Sequence, residues 1–238
     1  MAKEQKIKNW ILFEDNDFYV INKPPFIATL EDRGSSVNII KFAKEYCATS
    51  QACHRLDKDT SGVLLIAKTP EAYRHASMQF ENRSVTKIYH AVVEGSHEFK
   101  TKTVNASLMI TGKGKVVINS SKGKDSETSF TTLGIYKNYS LVECKPITGR
   151  MHQIRVHLAS LNAPIVGDEF YDGKPFYLSS IKKKYNLKKN TAETPLIQRF
   201  ALHAFALKLQ KMNGDEYIFE APYPKDFKVL VEQLEKNN

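Results

Sequence analysis

The chain has 238 residues, 42% of them hydrophobic, and a formal net charge of +9. This length allows one large packed domain or two small ones, and no apolar run approaches the ~20 residues that a membrane-spanning helix needs. The basic charge is compatible with a polyanionic partner, but a basic cytosolic protein without such a partner would have the same composition.

The three cysteines, Cys47, Cys53 and Cys144, are too few and too scattered for a disulfide framework. No pair among them has the spacing of a zinc site. The first six residues are polar, so no secretory signal is expected. We therefore expect a cytoplasmic protein with reduced thiols and no membrane association.

The first predicted elements are two strands and a helix, at residues 10–14, 18–22 and about 37–47. Asp15-Asn16-Asp17 is typical of the hairpin turn between the strands. Lys23-Pro24-Pro25 ends the second strand, because proline has no N–H for the sheet. Ser35 or Ser36 is predicted to cap the helix.

A charged loop follows, with the sequence His54-Arg55-Leu56-Asp57-Lys58-Asp59-Thr60-Ser61-Gly62, and an apolar strand begins after it. A carboxylate beside a guanidinium stays ionised at neutral pH, and a rigid loop would aim it as a nucleophile or base. The alternative is a turn with an Asp cap and a weak surface ion pair, which these residues alone favour. A glycosidase with Asp57 and Asp59 as paired carboxylates has no independent support.

The middle of the chain is predicted to contain a helix and then antiparallel strands. Thr69-Pro70-Glu71 is a helix start, and that helix is expected to continue to about residue 82. The next strand carries Tyr89, which by itself indicates a packed core tyrosine. Residues 103–145 alternate and turn repeatedly, and one basic hairpin tip contains Lys113 and Lys115. These lysines either contact phosphate or lie in a solvated turn, which we favour for a single tip.

Thr148 is predicted to cap a helix that runs from Arg150 to about residue 161. Arg155 lies at the border of its apolar stripe, where a cation can reach into a pocket. His152 and His157 are about 140° apart around this helix, which excludes a shared metal ion.

Antiparallel runs of strands, interrupted irregularly by helices, predict the α+β class. The last elements are a hairpin at Asn213-Gly214 and an amphipathic helix over about 226–235. No internal repeat, linker or domain boundary is evident.

Several blocks of this sequence resemble, in order, the motifs of the RluA-like family of RNA pseudouridine synthases. The blocks are Lys23-Pro24, residues 54–68, residues 87–93, residues 148–159, residues 164–168, Leu202-His203-Ala204 and Ala221-Pro222-Tyr223-Pro224. The resemblance implies the pseudouridine synthase fold, a long mixed, mostly antiparallel sheet with flanking helices and a central catalytic cleft. It also implies that residues 1–238 form a single catalytic domain, since about twenty residues before Lys23 are too few for a separate N-terminal RNA-binding domain.

The resemblance assigns three catalytic residues. Asp57 would be the carboxylate that attacks the ribose C1′ or acts there as a base, and Tyr89 would stack against the target uracil. Arg155 would hold Asp57 ionised through an ion pair. Arg150 competes for that role, but the helix dipole opposes a cation at the helix start, so we expect Arg150 on RNA phosphate.

The resemblance further implies a set of RNA-binding residues and no metal or organic cofactor. Arg55 would fill the gap left by the flipped base. The other residues expected to contact RNA are His54, Lys23, Arg150, His152, Lys113 and Lys115. The expected partner is ribosomal or transfer RNA, and the expected oligomeric state is a monomer.

The chain departs from the family at one point. A glycine usually follows the Lys-Pro pair at a short distance, whereas this chain has Pro25-Phe26. That departure supports an alternative, a catalytically silent RNA-binding protein that retains the synthase fold.

Overall fold

Antiparallel strand pairing dominates the computed structural model, which describes residues 7–31, 37–112, 114–183, 185–186 and 191–238. The predicted α+β class with a mixed, mostly antiparallel sheet is confirmed. The chain divides into two units, the first made of Met1–Tyr89 and His203–Tyr223 and the second of His90–Leu202 and Pro224–Asn238. In the described part of the chain, no helix combines the length and the hydropathy needed to cross a membrane.

In chain order the strands are β1 (Ile11–Glu14), β2 (Phe18–Lys23), β3 (Gln51–Ala52), β4 (Ser61–Ala67), β5 (Thr86–Glu94), β6 (Lys102–Ile110), β7 (Val116–Ile118), β8 (Lys124–Tyr136), β9 (Tyr139–Pro146), β10 (Leu202–Gln210) and β11 (Glu216–Glu220). The α-helices are α1 (Ile39–Tyr46), α2 (Pro70–Glu81), α3 (Gln153–Ser160) and α4 (Lys225–Lys236). Two short 3-10 helices lie at Glu169–Tyr171 and Leu178–Ser180.

In the first unit, β2 pairs antiparallel with β1 on one side and with β4 on the other. β10 pairs parallel with the start of β4, where His203 lies opposite Ser61 and Ala204 opposite Gly62. Gly62 has a φ of 117°, and a Cβ there would lie 2.1 Å from the Ala204 carbonyl oxygen. Only glycine therefore allows the two strands to approach each other at this point.

The central strands of the first unit are apolar on both faces because a helix covers each face. Side chains of β2 and β4 that point one way pack with Ala72 and Ala76 of α2. Those that point the other way pack with Ile39, Phe42 and Ala43 of α1. Every residue of β4 is buried, as expected for a strand enclosed on both sides.

In the second unit, β8 pairs antiparallel with both β9 and β6, and β6 continues to β7. Helix α3 contributes Val156 to a small core that contains Leu108, Val116 and Tyr171. Helix α4 buries Phe227 and other apolar residues and ends the chain.

Most of these elements lie where the local sequence signals predict them, but the start of helix α1 differs from the prediction. Helix α1 is capped by Asn38, whose side chain accepts the Lys41 N–H. The predicted caps, Ser35 and Ser36, lie outside the described residues. Helix α2 begins as predicted, with Thr69 as its cap and Pro70 in its first turn.

Candidate active site

Asp57 lies in the loop of residues 54–60, which we call the Asp57 loop. The residue is half-buried, and its carbonyl oxygen accepts the Thr60 N–H at 3.1 Å in a tight turn. Its neighbour Leu56 is buried, and the Thr29 hydroxyl binds both its N–H and its carbonyl oxygen, at 3.0 and 2.9 Å. The backbone on either side of Asp57 is therefore fixed, as a positioned catalytic carboxylate requires.

Lys23 is fully buried and binds the backbone around this loop. Its ammonium donates to the carbonyl oxygens of Pro24, Ile27 and Lys58, at 2.9, 2.8 and 3.0 Å. An ammonium has three hydrogens, so it can make these three bonds at the same time. They hold two loops together, and the predicted RNA contact of Lys23 stays a prediction.

His54 anchors the start of the Asp57 loop. Its Nε2 accepts the Leu65 N–H of β4 at 3.1 Å, and its ring stacks on Phe80 of α2 with centroids 5.0 Å apart. Burial, with a smaller effect of Lys87, lowers the pKa of His54 to about 3. The ring is neutral at pH 7, so the predicted RNA contact, which stays a prediction, would not involve a positive charge. Arg55 beside it is exposed.

Tyr89 is partly buried against the core cluster that includes Leu56, the residue before Asp57. The prediction of a packed tyrosine and the prediction of a base-stacking tyrosine are therefore compatible, because Tyr89 packs on this cluster while part of the residue stays accessible. Lys87, two residues earlier, has its pKa lowered to about 8, mainly by burial.

His203 connects the sequence motifs at 202–204 and 221–224 to the start of β4. This fully buried ring contacts the Ser61 hydroxyl through Nδ1 at 2.9 Å and the Ala221 carbonyl oxygen through Nε2 at 3.0 Å. A carbonyl only accepts, so Nε2 carries the hydrogen and Nδ1 accepts from Ser61. His203 thus fixes the end of the Asp57 loop. The available signal was a histidine inside an apolar strand, which needs internal partners.

Phe26 occupies the loop after β2, which we define as residues 24–30 and call the Phe26 loop. Its φ is 68°, a left-handed conformation that glycine adopts easily and phenylalanine rarely does. The backbone therefore follows a path suited to glycine although the residue is phenylalanine. This removes the support that the Pro25-Phe26 departure gave to a catalytically silent protein.

In the second unit, Arg155 is buried and makes a bidentate ion pair with Asp168. Its Nε and Nη2 donate to the two carboxylate oxygens, at 2.6 and 2.7 Å. The guanidinium also lies over the rings of Tyr171 and Phe200, 4.9 and 4.3 Å from their centroids. The predicted inward orientation of Arg155 is confirmed, and Asp168 was not predicted as its partner. The expected pairing of Arg155 with Asp57 stays a prediction.

Helix α3 begins at Gln153, three residues later than predicted, and Thr148 is not its cap. The Thr148 hydroxyl instead donates to Gln153 Oε1 at 2.7 Å, and the Arg150 N–H binds the same oxygen at 2.9 Å. Arg150 itself is exposed, and its Nε donates to the Asp125 carbonyl oxygen. The N-cap position belongs to His152, whose φ is 52° and whose side chain makes no capping bond.

Tyr171 contacts two more of the predicted RNA-binding residues, His152 and Lys115. Its hydroxyl accepts the Val116 N–H at 3.0 Å and contacts His152 Nδ1 at 2.8 Å. The Lys115 ammonium lies over its ring, 5.6 Å from the centroid. Lys113 lies outside the described residues. Within the described ranges, no group of three or more His, Cys, Asp or Glu side chains is placed to hold a metal ion.

Comparison with known proteins gives concordant results. The sequence model of the family described as RNA pseudouridylate synthase matches residues 17–160. The chain is 34% identical over 244 residues to ribosomal large subunit pseudouridine synthase C of Haemophilus influenzae, covering 100% of this chain and 72% of the relative. For the protein of the same name from Vibrio parahaemolyticus the identity is 32% over 244 residues, covering 100% and 73%. The solved structure of human RNA pseudouridylate synthase domain containing 4 superposes with a TM-score of 0.78 at 26% identity, covering 98% of this chain and 96% of that one.

Proposed function

The chain belongs to the RNA pseudouridylate synthase family, and we propose that it converts specific uridines of large-subunit ribosomal RNA to pseudouridine. The reaction class, isomerisation of uridine in RNA, is that of the family. The choice of ribosomal over transfer RNA rests on the names of the relatives. The observation that carries the proposal is the fixed Asp57 loop, whose backbone is bonded on both sides of the carboxylate.

Asp57 is the proposed catalytic carboxylate. The target uridine leaves its stack, and exposed Arg55, two residues before Asp57, takes the place of the flipped base. Ionised Asp57 then attacks the ribose C1′ or acts there as a base, and the bond between N1 and C1′ breaks. The uracil turns while Tyr89 holds its face, a bond forms between C5 and C1′, C5 loses its hydrogen and N1 takes up a proton.

Arg155 is the proposed third catalytic residue, which keeps Asp57 ionised. Its support is the family resemblance together with the rigid placement of its guanidinium by Asp168 and by two aromatic rings. A guanidinium held in one orientation loses less rotational freedom when it binds a carboxylate than a mobile one does.

RNA binding is proposed for the basic residues Arg55, Lys115, Arg150 and His152, with His54 as a neutral contact. We propose that the two units serve one catalytic domain that acts as a monomer. The cytoplasm is the proposed location, in line with the expectation from the sequence. No cofactor is included in the proposal, because the reaction rearranges the bonds of one nucleotide without oxidation or reduction.

Asp57→Asn tests the proposal against a catalytically silent RNA-binding protein. The substrate is an unmodified large-subunit ribosomal RNA transcript carrying tritium at uridine C5, and tritium release measures the exchange at that carbon. We expect Asp57→Asn to lower release by at least about 1000-fold while RNA affinity stays within a few-fold of the wild type.

Asp59→Asn is the matched control, since it removes a carboxylate two residues away and should keep release within about threefold of the wild type. Undiminished release from Asp57→Asn would overturn the assigned role of Asp57. An unaltered wild-type protein that binds the transcript without releasing tritium would support the silent alternative.

A further inference from the structure

Phe26 combines two unfavourable features on the surface of the first unit. Its backbone is in the left-handed region, with a φ of 68°, and the residue is 51% exposed. A bulky residue at positive φ is strained, and such strain persists only where the surroundings enforce it. The exposed part of this residue gains nothing from packing, so the stability of the fold does not by itself account for a phenylalanine at this position.

The Phe26 loop is rigid because both of its sides are bonded. Pro24 and Pro25 restrict the backbone before the ring. The Lys23 ammonium binds the carbonyl oxygens of Pro24 and Ile27, on either side of Phe26, at 2.9 and 2.8 Å. Further along, the Ala28 carbonyl oxygen accepts the Ile39 N–H of α1 at 2.9 Å.

The same groups join the Phe26 loop to both neighbours of Asp57. The third bond of Lys23 goes to the Lys58 carbonyl oxygen, at 3.0 Å. The Thr29 hydroxyl bonds both backbone groups of Leu56. The backbone that carries the phenyl ring is therefore held close to the backbone on either side of the proposed catalytic carboxylate, within one unit of the molecule.

We propose that Phe26 is a positioning residue that stacks on a nucleobase adjacent to the target uridine, an inference that rests on the proposed function. A base next to a flipped nucleotide loses its stacking partner, and an aromatic ring replaces that partner without regard to base identity. Arg55 and Lys58, both exposed in the joined Asp57 loop, supply the cations that accompany stacking rings at nucleic-acid surfaces. A ring carried by a rigid backbone loses less freedom on binding than one on a mobile loop, which accounts for the enforced backbone conformation.

Three substitutions separate stacking from other roles of Phe26. Phe26→Leu keeps an apolar side chain without a ring, Phe26→Gly relieves the backbone strain, and Phe26→Trp keeps a ring. We expect the leucine and glycine variants to need about 5- to 100-fold more RNA for half-maximal single-turnover tritium release, with a saturating rate within about threefold of the wild type. The tryptophan variant should match the wild type. Met78→Ala, which shortens another exposed apolar side chain (52% exposed), is the control and should change neither value.

A direct optical readout uses Phe26→Trp in a Trp10→Phe background, where residue 26 is the sole tryptophan. Addition of the transcript should quench its emission in a saturable manner. If the wild type releases tritium but Phe26→Leu has unchanged half-saturation, or the tryptophan is not quenched, this inference is overturned while the proposed function stands. If the wild type releases no tritium, the proposed function fails, and unquenched emission would then reject the stacking contact as well.

Discussion

Lys23 shows how a single buried side chain holds the loop that carries Asp57. Its three hydrogen bonds join the end of β2, the Phe26 loop and the Asp57 loop. A buried ammonium is unfavourable unless its hydrogens are satisfied, and here backbone carbonyls satisfy them. We therefore propose that Lys23 contributes to function through the position of Asp57.

Lys23→Met tests this role, because methionine has a similar length and no donor. Three carbonyl oxygens lose their partner, so we expect the free energy of unfolding to fall by roughly 2–4 kcal/mol, measured by urea denaturation. Turnover should fall more than RNA affinity, since the Asp57 loop loses its anchor.

Lys58→Met is the matched control for that substitution. The Lys58 side chain is exposed, and only its backbone carbonyl binds Lys23. It should change stability by less than about 0.5 kcal/mol. A stable, fully active Lys23→Met protein would contradict the anchoring role.

At the residue scale, the sequence motifs indicate Asp57, Tyr89 and Arg155 as candidate catalytic residues. They do not indicate the residues that position the backbone around them. His203 and Ser61 are 142 positions apart, and Thr29 and Leu56 are 27 apart. Such contacts depend on which distant segments meet in the fold, which residue patterns do not specify. For the same reason, the sequence shows that Lys23 is a cation but not which carbonyl groups bind its ammonium.

Helix α3 shows how a side chain inside an element can define its start. Gln153 is buried, and its Oε1 binds Thr148 and Arg150. Its Nε2 donates to the Glu127 carbonyl oxygen and the Thr128 hydroxyl, both at 2.9 Å. These four bonds fix the turn before α3 to strand β8, which is why no capping side chain is needed at His152.

Gln153→Leu should destabilise the protein by about 2–4 kcal/mol, because it removes the four buried hydrogen bonds that join the turn before α3 to β8. Urea denaturation measures the change. Gln198→Leu replaces an exposed glutamine of the same unit and should have an effect below about 0.5 kcal/mol. Equal stability of the two variants would show that the four hydrogen bonds of the Gln153 side chain do not hold α3 in place.

At the element scale, the prediction succeeded where the signal was local. Thr69-Pro70-Glu71 placed the start of α2, Asn213-Gly214 placed the β10–β11 hairpin, and the apolar run after Gly62 placed β4. The start of α3 was misplaced because Thr148 has the residue type of a cap, whereas its hydroxyl is used by Gln153.

At the scale of the whole molecule, three histidines held in a neutral form make stability depend on pH. Burial lowers the pKa of His54 to about 3 and those of His90 and His157 to about 4, from an ordinary value of 6.5. At a pH between the lowered pKa and the ordinary pKa of a histidine, the unfolded chain binds more protons than the folded one. This contribution to stability is therefore present above about pH 6.5 and is lost as the pH falls towards 4.

We expect the free energy of unfolding to fall by about 1–2 kcal/mol for each of these histidines between pH 7 and pH 5. Urea denaturation at both pH values measures the change. His157→Asn, although less stable at pH 7, should show a smaller loss on acidification than the wild type. An identical pH dependence in that variant would contradict a neutral, buried His157.

The net charge of +9 leads to a prediction about RNA binding by the whole protein. Binding of cations to phosphates releases counterions, so affinity for the ribosomal RNA transcript should fall roughly 10- to 100-fold between 50 and 200 mM salt. Arg150→Ala should reduce the slope of log affinity against log salt by roughly 0.7 to 0.9. A salt-independent affinity would count against the proposed basic contacts.

The fold itself could be predicted because the motifs of the family occur in order along the chain, from Lys23-Pro24 to Ala221-Pro222-Tyr223-Pro224. The target nucleotide could not be predicted in this way. Under the proposals above, the target depends on the shape of the RNA-binding surface, to which Phe26 would contribute.

Mapping of pseudouridines in RNA from cells with and without this gene tests the central claim most directly. Deletion should remove one or more pseudouridines from large-subunit ribosomal RNA, and expression of the wild-type protein, but not of Asp57→Asn, should restore them. Unchanged ribosomal RNA after deletion, losses confined to transfer RNA, or restoration by Asp57→Asn would contradict the account.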